Sequence, residues 1–401
     1  MEFKLQGDFE MKATTFFGLE EVLEKELMAL GAKNIEAFKR GVAFTGDLGF
    51  LYKSNLCLRT ALKILVPIAN FKADNEHTFY DEVKKLEWEN LMNYKDTLMV
   101  ESVANSDFFT HSLYLSQKTK DAIVDRFKEK NNGARPDVDL INPTLKIYVH
   151  VFKDEVNISI DSSGEPLYKR GYRSDINVAP MKEVLAAGLV KLSGWSPHQI
   201  LIDGMCGSAT IAIEAALIAN NIPPGYFRNN SSTSVNSGFG FMHWHNFDKK
   251  LYDIVYEACI SKIKNGEPQI IANELSEITL EKAQKNVMNA KVDDVITLSH
   301  QSFFDFMPPK KPGVVILNPP YGERMSNQEI TNLYKQIGNK LKKDFAGYTA
   351  WIITSSEDGF KSIGLRPSRK IHVFNGALEC RFLKFELYDG SKKAKKNLPD
   401  Q

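Results

Sequence analysis

Between residues 181 and 390, short apolar runs alternate with longer helix-like stretches, and this alternation constrains the fold more than any other feature of the chain. "MKEVLAAGLVKLSG" reads as a helix, "QILIDGMCG" as a strand and turn, and "SATIAIEAALIAN" as a second helix. The strand "PQIIANEL", the helix "SEITLEKAQKNVMNA", the strands "VITLSH" and "GVVILNPP", a helix near 327–343 and the strand "TAWIIT" follow. A run such as "GVVIL" is apolar at every position, as a strand covered on both faces requires. The order predicts a doubly wound α/β domain with a mostly parallel sheet. In such a fold the ligand sits over the C-terminal ends of the strands.

Upstream, the texture is α+β. In "FEMKATTFFGLEEVLEKELMALGA", Leu19, Val22, Leu23, Leu27 and Leu30 are spaced for one helix face, and Gly31 is a natural C-cap. "GVAFTGD" and "LGFLYKSNLCLRTALKILVPIANFKA" complete a small strand–helix unit over roughly 1–70. From 71 to 160 come the amphipathic "TFYDEVKKLEWENLM", the strand "DTLMVESVAN" and the long helix "HSLYLSQKTKDAIVDRFKEKNN". Two short strands then join at Lys153-Asp154-Glu155, a hairpin signal. Residues 223–250 are rich in Gly, Asn, Ser and aromatics, and read as an insertion or mobile loop outside the core.

With 401 residues, two or three domains are expected. Net charge is +1, from 51 basic and 50 acidic residues, so a nucleic-acid surface would have to be local. One candidate is "LYKRGYR", where Lys169, Arg170 and Arg173 lie among tyrosines that include Tyr172, a pattern suited to phosphate contacts with stacking. The other basic cluster, "SKKAKKN" at 391–397, reads as a solvated tail. Cys57, Cys206, Cys259 and Cys380 show no paired spacing, which argues against a disulfide framework or zinc site and fits a reducing cytosol. No apolar run approaches the length of a membrane span, so a soluble cytoplasmic protein is expected. His243 and His245 flank Trp244 without further ligands nearby, which suggests a substrate-side loop with aromatic contacts.

"LIDGMCGSATIAIEAA" (201–216) is a strand ending in Asp203, a turn with Gly204 and Gly207, and an Ala-rich helix. Such a turn lets a ligand approach the backbone, and the helix N-terminus offers free amides. By itself it would also suit a dinucleotide fold. Glu274 closes the next strand, where a carboxylate can accept hydrogen bonds from ribose hydroxyls; it could equally serve as a helix N-terminal charge. Asn318-Pro319-Pro320-Tyr321 then ends an apolar strand, and its two prolines cannot donate to a sheet.

Taken together, "DGMCGSATIAIEA", "NE" and "NPPYGER" resemble the class I S-adenosylmethionine-dependent methyltransferases, in the branch that methylates exocyclic base amines. With "KRGYR…APMKEVLAAGLV" and "FGFMHWHNFD", the chain is similar to bacterial THUMP-domain methyltransferases that form N2-methylguanosine in 23S ribosomal RNA. The resemblance covers nearly the whole chain. It implies a ferredoxin-like subdomain at 1–65, a THUMP RNA-binding domain at 66–160, a linker at 161–180, a Rossmann-like methyltransferase domain at 181–390 and a basic tail at 391–401. Expected cofactor contacts are Asp203, Gly204, Cys206, Gly207, Ala209, Thr210, Glu274, Ser302, Asp305 and Asn318. The expected catalytic residues are Asn318, Pro319, Pro320 and Tyr321, and RNA is expected at Lys169, Arg170, Tyr172 and Arg173. The sequence departs from the family pattern in having Ala209 for a third glycine, Glu274 for Asp, and Ser302 at the register of the adenine-binding acid, with Asp305 three residues later.

The resemblance gives "NPPY" a chemical role. The side-chain carbonyl of Asn318 and the backbone carbonyl of Pro319 would accept hydrogen bonds from the target amine and stabilise charge developing on its nitrogen. Tyr321 would stack on the extruded base. No metal is implied, and a monomer is expected. The RNA partner would be 23S rRNA or a ribosomal assembly intermediate. A tRNA guanine-N2 target, DNA adenine-N6 methylation and a non-catalytic RNA-binding assembly factor are the competing readings.

Overall fold

The computed structural model describes residues 7–173, 181–230, 238–320 and 325–388. Its contacts group into two units: Met1–Thr15, Leu23–Gly171 and Pro224–Ser261 form one, while Phe16–Val22, Tyr172–Pro223 and Lys262–Gln401 form the other.

The first unit is built on β1 (Phe9–Thr14), α1 (Glu20–Leu30), β2 (Lys33–Phe38), β3 (Gly41–Gly46), α2 (Leu48–Cys57), β4 (Lys63–Lys72), α3 (Glu76–Lys85), β5 (Thr97–Asn105), α4 (Ser112–Lys130), β6 (Asp137–Val138), β7 (Leu145–Phe152) and β8 (Glu155–Asp161). One eight-stranded sheet of order β2-β3-β1-β4-β8-β7-β5-β6 runs through all of it. β7 shows why: Leu145, Ile147, Val149 and Val151 are buried while the residues between them are not, the period-two pattern of a half-buried strand. The expected boundary at residue 65 falls inside β4, which pairs with β1 and with β8. The ferredoxin-like and THUMP segments therefore share a single sheet.

The second unit follows the predicted alternation: α5 (Glu183–Ser193), β9 (Ile200–Asp203) and α6 (Thr210–Ala219), then an insertion with α7 (Tyr226–Asn230) and α8 (Lys249–Ile260). It resumes with β10 (Ile270–Glu274), α9 (Glu277–Asn289), β11 (Ile296–His300), β12 (Gly313–Leu317), α10 (Asn327–Asp344), β13 (Thr349–Thr354), α11 (Glu357–Ser362), β14 (Arg369–Asn375) and β15 (Leu378–Glu386). The sheet order is β11-β10-β9-β12-β13-β15-β14, parallel from β11 to β13 and antiparallel at β15 and β14. All five residues of β12 are buried, as its uninterrupted apolar run predicts.

The insertion does not behave as a loop outside the core. Residues 224–261 group with the first unit rather than with the expected 181–390 domain. Phe241 is fully buried, with its ring centroid 4.6 Å from that of Tyr52. Trp244 is buried too, and His245 Nε2 lies 2.6 Å from Asp96 Oδ2. The aromatics of this Gly- and Asn-rich segment thus fill a core formed by residues far away in sequence, instead of lining a substrate loop. Among the described residues, no group of three or more His, Cys, Asp or Glu side chains gathers to hold a metal ion. No described helix is long and apolar enough to cross a membrane. The basic tail 391–401 lies outside the described residues.

α10 restarts the chain after the proline turn through a full capping box: Ser326 Oγ accepts from the Glu329 amide, and Glu329 accepts in turn from the Ser326 amide at 2.8 Å. Ile330, Tyr334, Ile337 and Leu341 then face the core. Ser326→Ala is expected to lower stability by about 1 kcal/mol, read as a lower urea midpoint at unchanged m-value.

Candidate active site

The strand order reverses between β9 and β12, neighbours whose connections run to opposite sides, and this switch point is where an open α/β sheet forms its ligand crevice. Asp203 ends β9, Glu274 ends β10, and Asn318 directly follows β12. Because these strands are parallel, the three side chains belong to one edge of the sheet.

The turn after β9 is shaped by close packing. A Cβ on Gly204 would come within 2.5 Å of Leu317 Cδ2 and 2.7 Å of the Phe303 ring, so a side chain there has no room. Gly207 (φ +55°) and Ala209 (φ +62°) are both left-handed. In that conformation the Cβ of an L-residue crowds a carbonyl oxygen, a strain that Ala209 bears and glycine would largely escape. The Gly207 amide donates to Glu274 Oε2 at 2.9 Å, and the other oxygen of Glu274 accepts from the Ser276 amide at 2.9 Å. Both oxygens keep lone pairs for a further donor. The Cys206 amide donates to the Asn273 carbonyl at 2.9 Å, and its buried thiol is pushed well above the usual range by burial, then by the charges of Asp203 and Glu274. It is a protonated packing residue and no nucleophile.

Asp203 is fully buried and takes one bond, from the Ala212 amide at 3.3 Å, leaving Oδ1 without a partner among the described residues. Burial, reinforced by Glu274 and opposed by the Ala212 amide, raises its carboxyl to about 7. Asn318 Oδ1 is likewise buried without a described partner, and so are both polar atoms of the Asn273 side chain. Buried polar atoms normally find partners. By strand register Asp203 and Asn318 share one face of the sheet, and Asn273 alternates to the other.

The predicted residues divide. Asp203, Gly204, Cys206, Gly207, Ala209, Thr210, Glu274 and Asn318 come together at this edge. Ser302 Oγ accepts from the Phe304 amide at 3.2 Å within its own turn, and Asp305 is exposed. Pro319 is buried and Pro320 exposed, while Tyr321 lies outside the described residues. The basic cluster expected to meet RNA is mostly turned inward. Arg170 is 1% exposed and donates to the Leu167 and Arg59 carbonyls at 2.8 and 2.6 Å. Tyr172 is equally buried, and Arg173 is tied to Glu183, Ser208 and Thr210. Only Lys169 stays exposed, paired with Glu165. Buried carbonyls, hydroxyls and a carboxylate claim these guanidiniums before any phosphate can.

Two features escaped the sequence reading. Asn273 was legible as the first residue of the "NE" pair, but its full burial was not. Leu275 and Ile278, one and four residues beyond Glu274, are 69% and 72% exposed, an apolar surface that the sequence did not mark.

Residues 170–384 match the RMKL-like methyltransferase domain, residues 73–161 the THUMP domain, and residues 10–65 the RlmL ferredoxin-like domain. A Synechocystis protein provisionally named an RNA methyltransferase is 35% identical over 94% of this chain and 96% of its own length. The ribosomal RNA large subunit methyltransferase K/L of Methylococcus capsulatus is 36% identical over 94% of this chain, which spans only 51% of that protein. A solved structure, provisionally described as a methyltransferase and complexed with SAH (S-adenosylhomocysteine), superposes with a TM-score of 0.84 at 29% identity, covering 96% of this chain and 100% of the other. The chain belongs to the RMKL-like methyltransferase family.

Proposed function

We propose that the chain transfers a methyl group from S-adenosylmethionine to the exocyclic N2 amine of a guanosine in RNA, with 23S ribosomal RNA as the target. The observation that carries the reading is the pair of unpartnered buried oxygens, Asp203 Oδ1 and Asn318 Oδ1, on one face at the sheet edge. The THUMP segment and the names of the relatives support an RNA substrate.

The residues fit the cofactor. Asp203 would offer an anionic oxygen to the α-ammonium of its amino-acid end, Glu274 would accept hydrogen bonds from ribose hydroxyls, and Leu275 and Ile278 would offer apolar surface to the adenine. When bound, S-adenosylmethionine supplies an electrophilic methyl group on a sulfonium. The chain's own work is to hold the amine. Its lone pair is delocalised into the guanine ring, so it needs help to act as a nucleophile. Asn318 Oδ1 and the Pro319 carbonyl would accept hydrogen bonds from its two N–H groups, favouring a localised lone pair and stabilising the positive charge that grows on nitrogen as the N–C bond forms and the S–C bond breaks, before the surplus proton is lost to solvent. Pro319 and Pro320 carry no N–H, so neither competes for these oxygens.

The test is methylation of 23S rRNA, tRNA and duplex DNA by the purified chain, followed by nucleoside mass spectrometry. N2-methylguanosine in 23S rRNA is expected. The same product in tRNA alone would move the target, and N6-methyladenosine in DNA would overturn the reading. SAH binding with no methylated product would favour an RNA-binding assembly factor.

A further inference from the structure

Arg173 belongs to a cluster whose sequence suggests RNA contact, yet four of its five guanidinium N–H groups are engaged inside the second unit. Nε donates to Glu183 on α5, Nη2 to the Met181 carbonyl at 2.9 Å and to Thr210 Oγ1 at 2.7 Å, and Nη1 to Ser208 Oγ at 3.3 Å. Its side chain is 18% exposed and that of Glu183 is 5% exposed. α9 completes the frame: Asn286 donates to the Ser208 carbonyl at 3.2 Å and Asn289 to the Tyr172 carbonyl at 3.1 Å.

Ser208 and Thr210 bracket Ala209, the L-residue held at φ +62° at the start of α6. Left alone, such a residue drifts back to negative φ, which would reshape the turn that the Ala209 amide closes on the Cys206 carbonyl at 2.9 Å. The planar fork of Arg173 grips both neighbours of the strained residue while its charge is anchored by Glu183 and the Met181 carbonyl. We infer that Arg173 is a positioning residue for the cofactor turn, locking residues 207–210 in their ligand-ready conformation through Ser208 and Thr210. This rests on the proposed assignment of that turn to the cofactor.

The experiment is calorimetric titration of SAH into the wild-type chain, Arg173→Gln, Arg173→Lys, Thr210→Val and the Arg173→Gln/Thr210→Val double variant, at a temperature where circular dichroism shows each folded. Arg173→Gln is expected to raise Kd roughly ten- to thirtyfold, from the loss of charge-assisted hydrogen bonds, and Arg173→Lys to recover part of it. Thr210→Val should weaken binding less. The double variant should fall well short of the product of the two single effects, because both cut one link. Independent, multiplying effects would overturn the inference. So would Arg173→Gln or Arg173→Lys binding SAH within twofold of wild type while merely melting earlier. Should Arg173→Gln not fold, wild-type affinity in both Arg173→Lys and Thr210→Val would overturn it equally. Failure of the wild-type chain to bind SAH would instead remove the assignment of the turn itself, and this inference with it.

Discussion

Asn318→Ala is expected to lower kcat for methyl transfer roughly a hundred- to a thousandfold while leaving Kd for SAH within a few-fold. The acceptor it removes has no partner among the described residues, and it follows β12, whose five residues are all buried and hold the strand end in place. An acceptor fixed before the substrate arrives needs no reorganisation when charge develops, so its loss appears in kcat. Because a buried unpartnered carbonyl is a desolvation cost in the free protein, the variant should melt no lower than wild type. Single-turnover kinetics with 23S rRNA, run beside a thermal melt, would separate the two effects. A variant that keeps more than half the wild-type rate would sink the proposed role.

Asp203→Asn is expected to stabilise the ligand-free chain above neutral pH by on the order of 4 kcal/mol and to weaken SAH binding. Its carboxyl is raised to about 7 in the folded chain, first by burial and then by Glu274. In the unfolded chain an ordinary aspartate titrates near pH ~4. A raised carboxyl binds its proton more tightly when folded, so its contribution to stability is complete below about pH 4. That contribution is lost as pH rises toward 7, and is flat above. The amide cannot ionise, so the difference between wild type and Asp203→Asn should open across that window. Urea titrations of both proteins at several pH values spanning that window cancel the other carboxylates. A difference that does not change with pH would refute the account, and saturating SAH should narrow the gap by giving the carboxylate a cationic partner.

These two sites were legible in the sequence to different depths. The turn "DGMCGSAT" and the "NPPY" stretch are local: a strand period, glycines and prolines fix a strand end, and the fold class follows from the alternation that surrounds them. The environment of Asp203 is not local. Its raised carboxyl follows from burial, and its one hydrogen bond and the charge beside it come from Ala212 nine residues on and Glu274 on the neighbouring strand. Asn273 stayed hidden for the same reason, since a polar residue in an apolar strand is informative only once its lack of partners is known.

The basic cluster 169–173 and the insertion show where reading along the chain misleads. Charge and aromaticity in "YKRGYR" suit a surface that binds phosphate, but Arg170 serves two backbone carbonyls and Arg173 serves a turn more than thirty residues away. Residues 223–250 read as loop material, yet the Phe241 ring becomes core beside Tyr52 nearly two hundred positions earlier. Most of the elements through β13 could be read directly from the residues, because helix and strand periods, caps and prolines act over a few positions, whereas α7, α8, α11, β14 and β15 were not read. Which charges face water and which aromatics form core emerged only with folding. Burial is a property of partners that the chain brings together only when it folds.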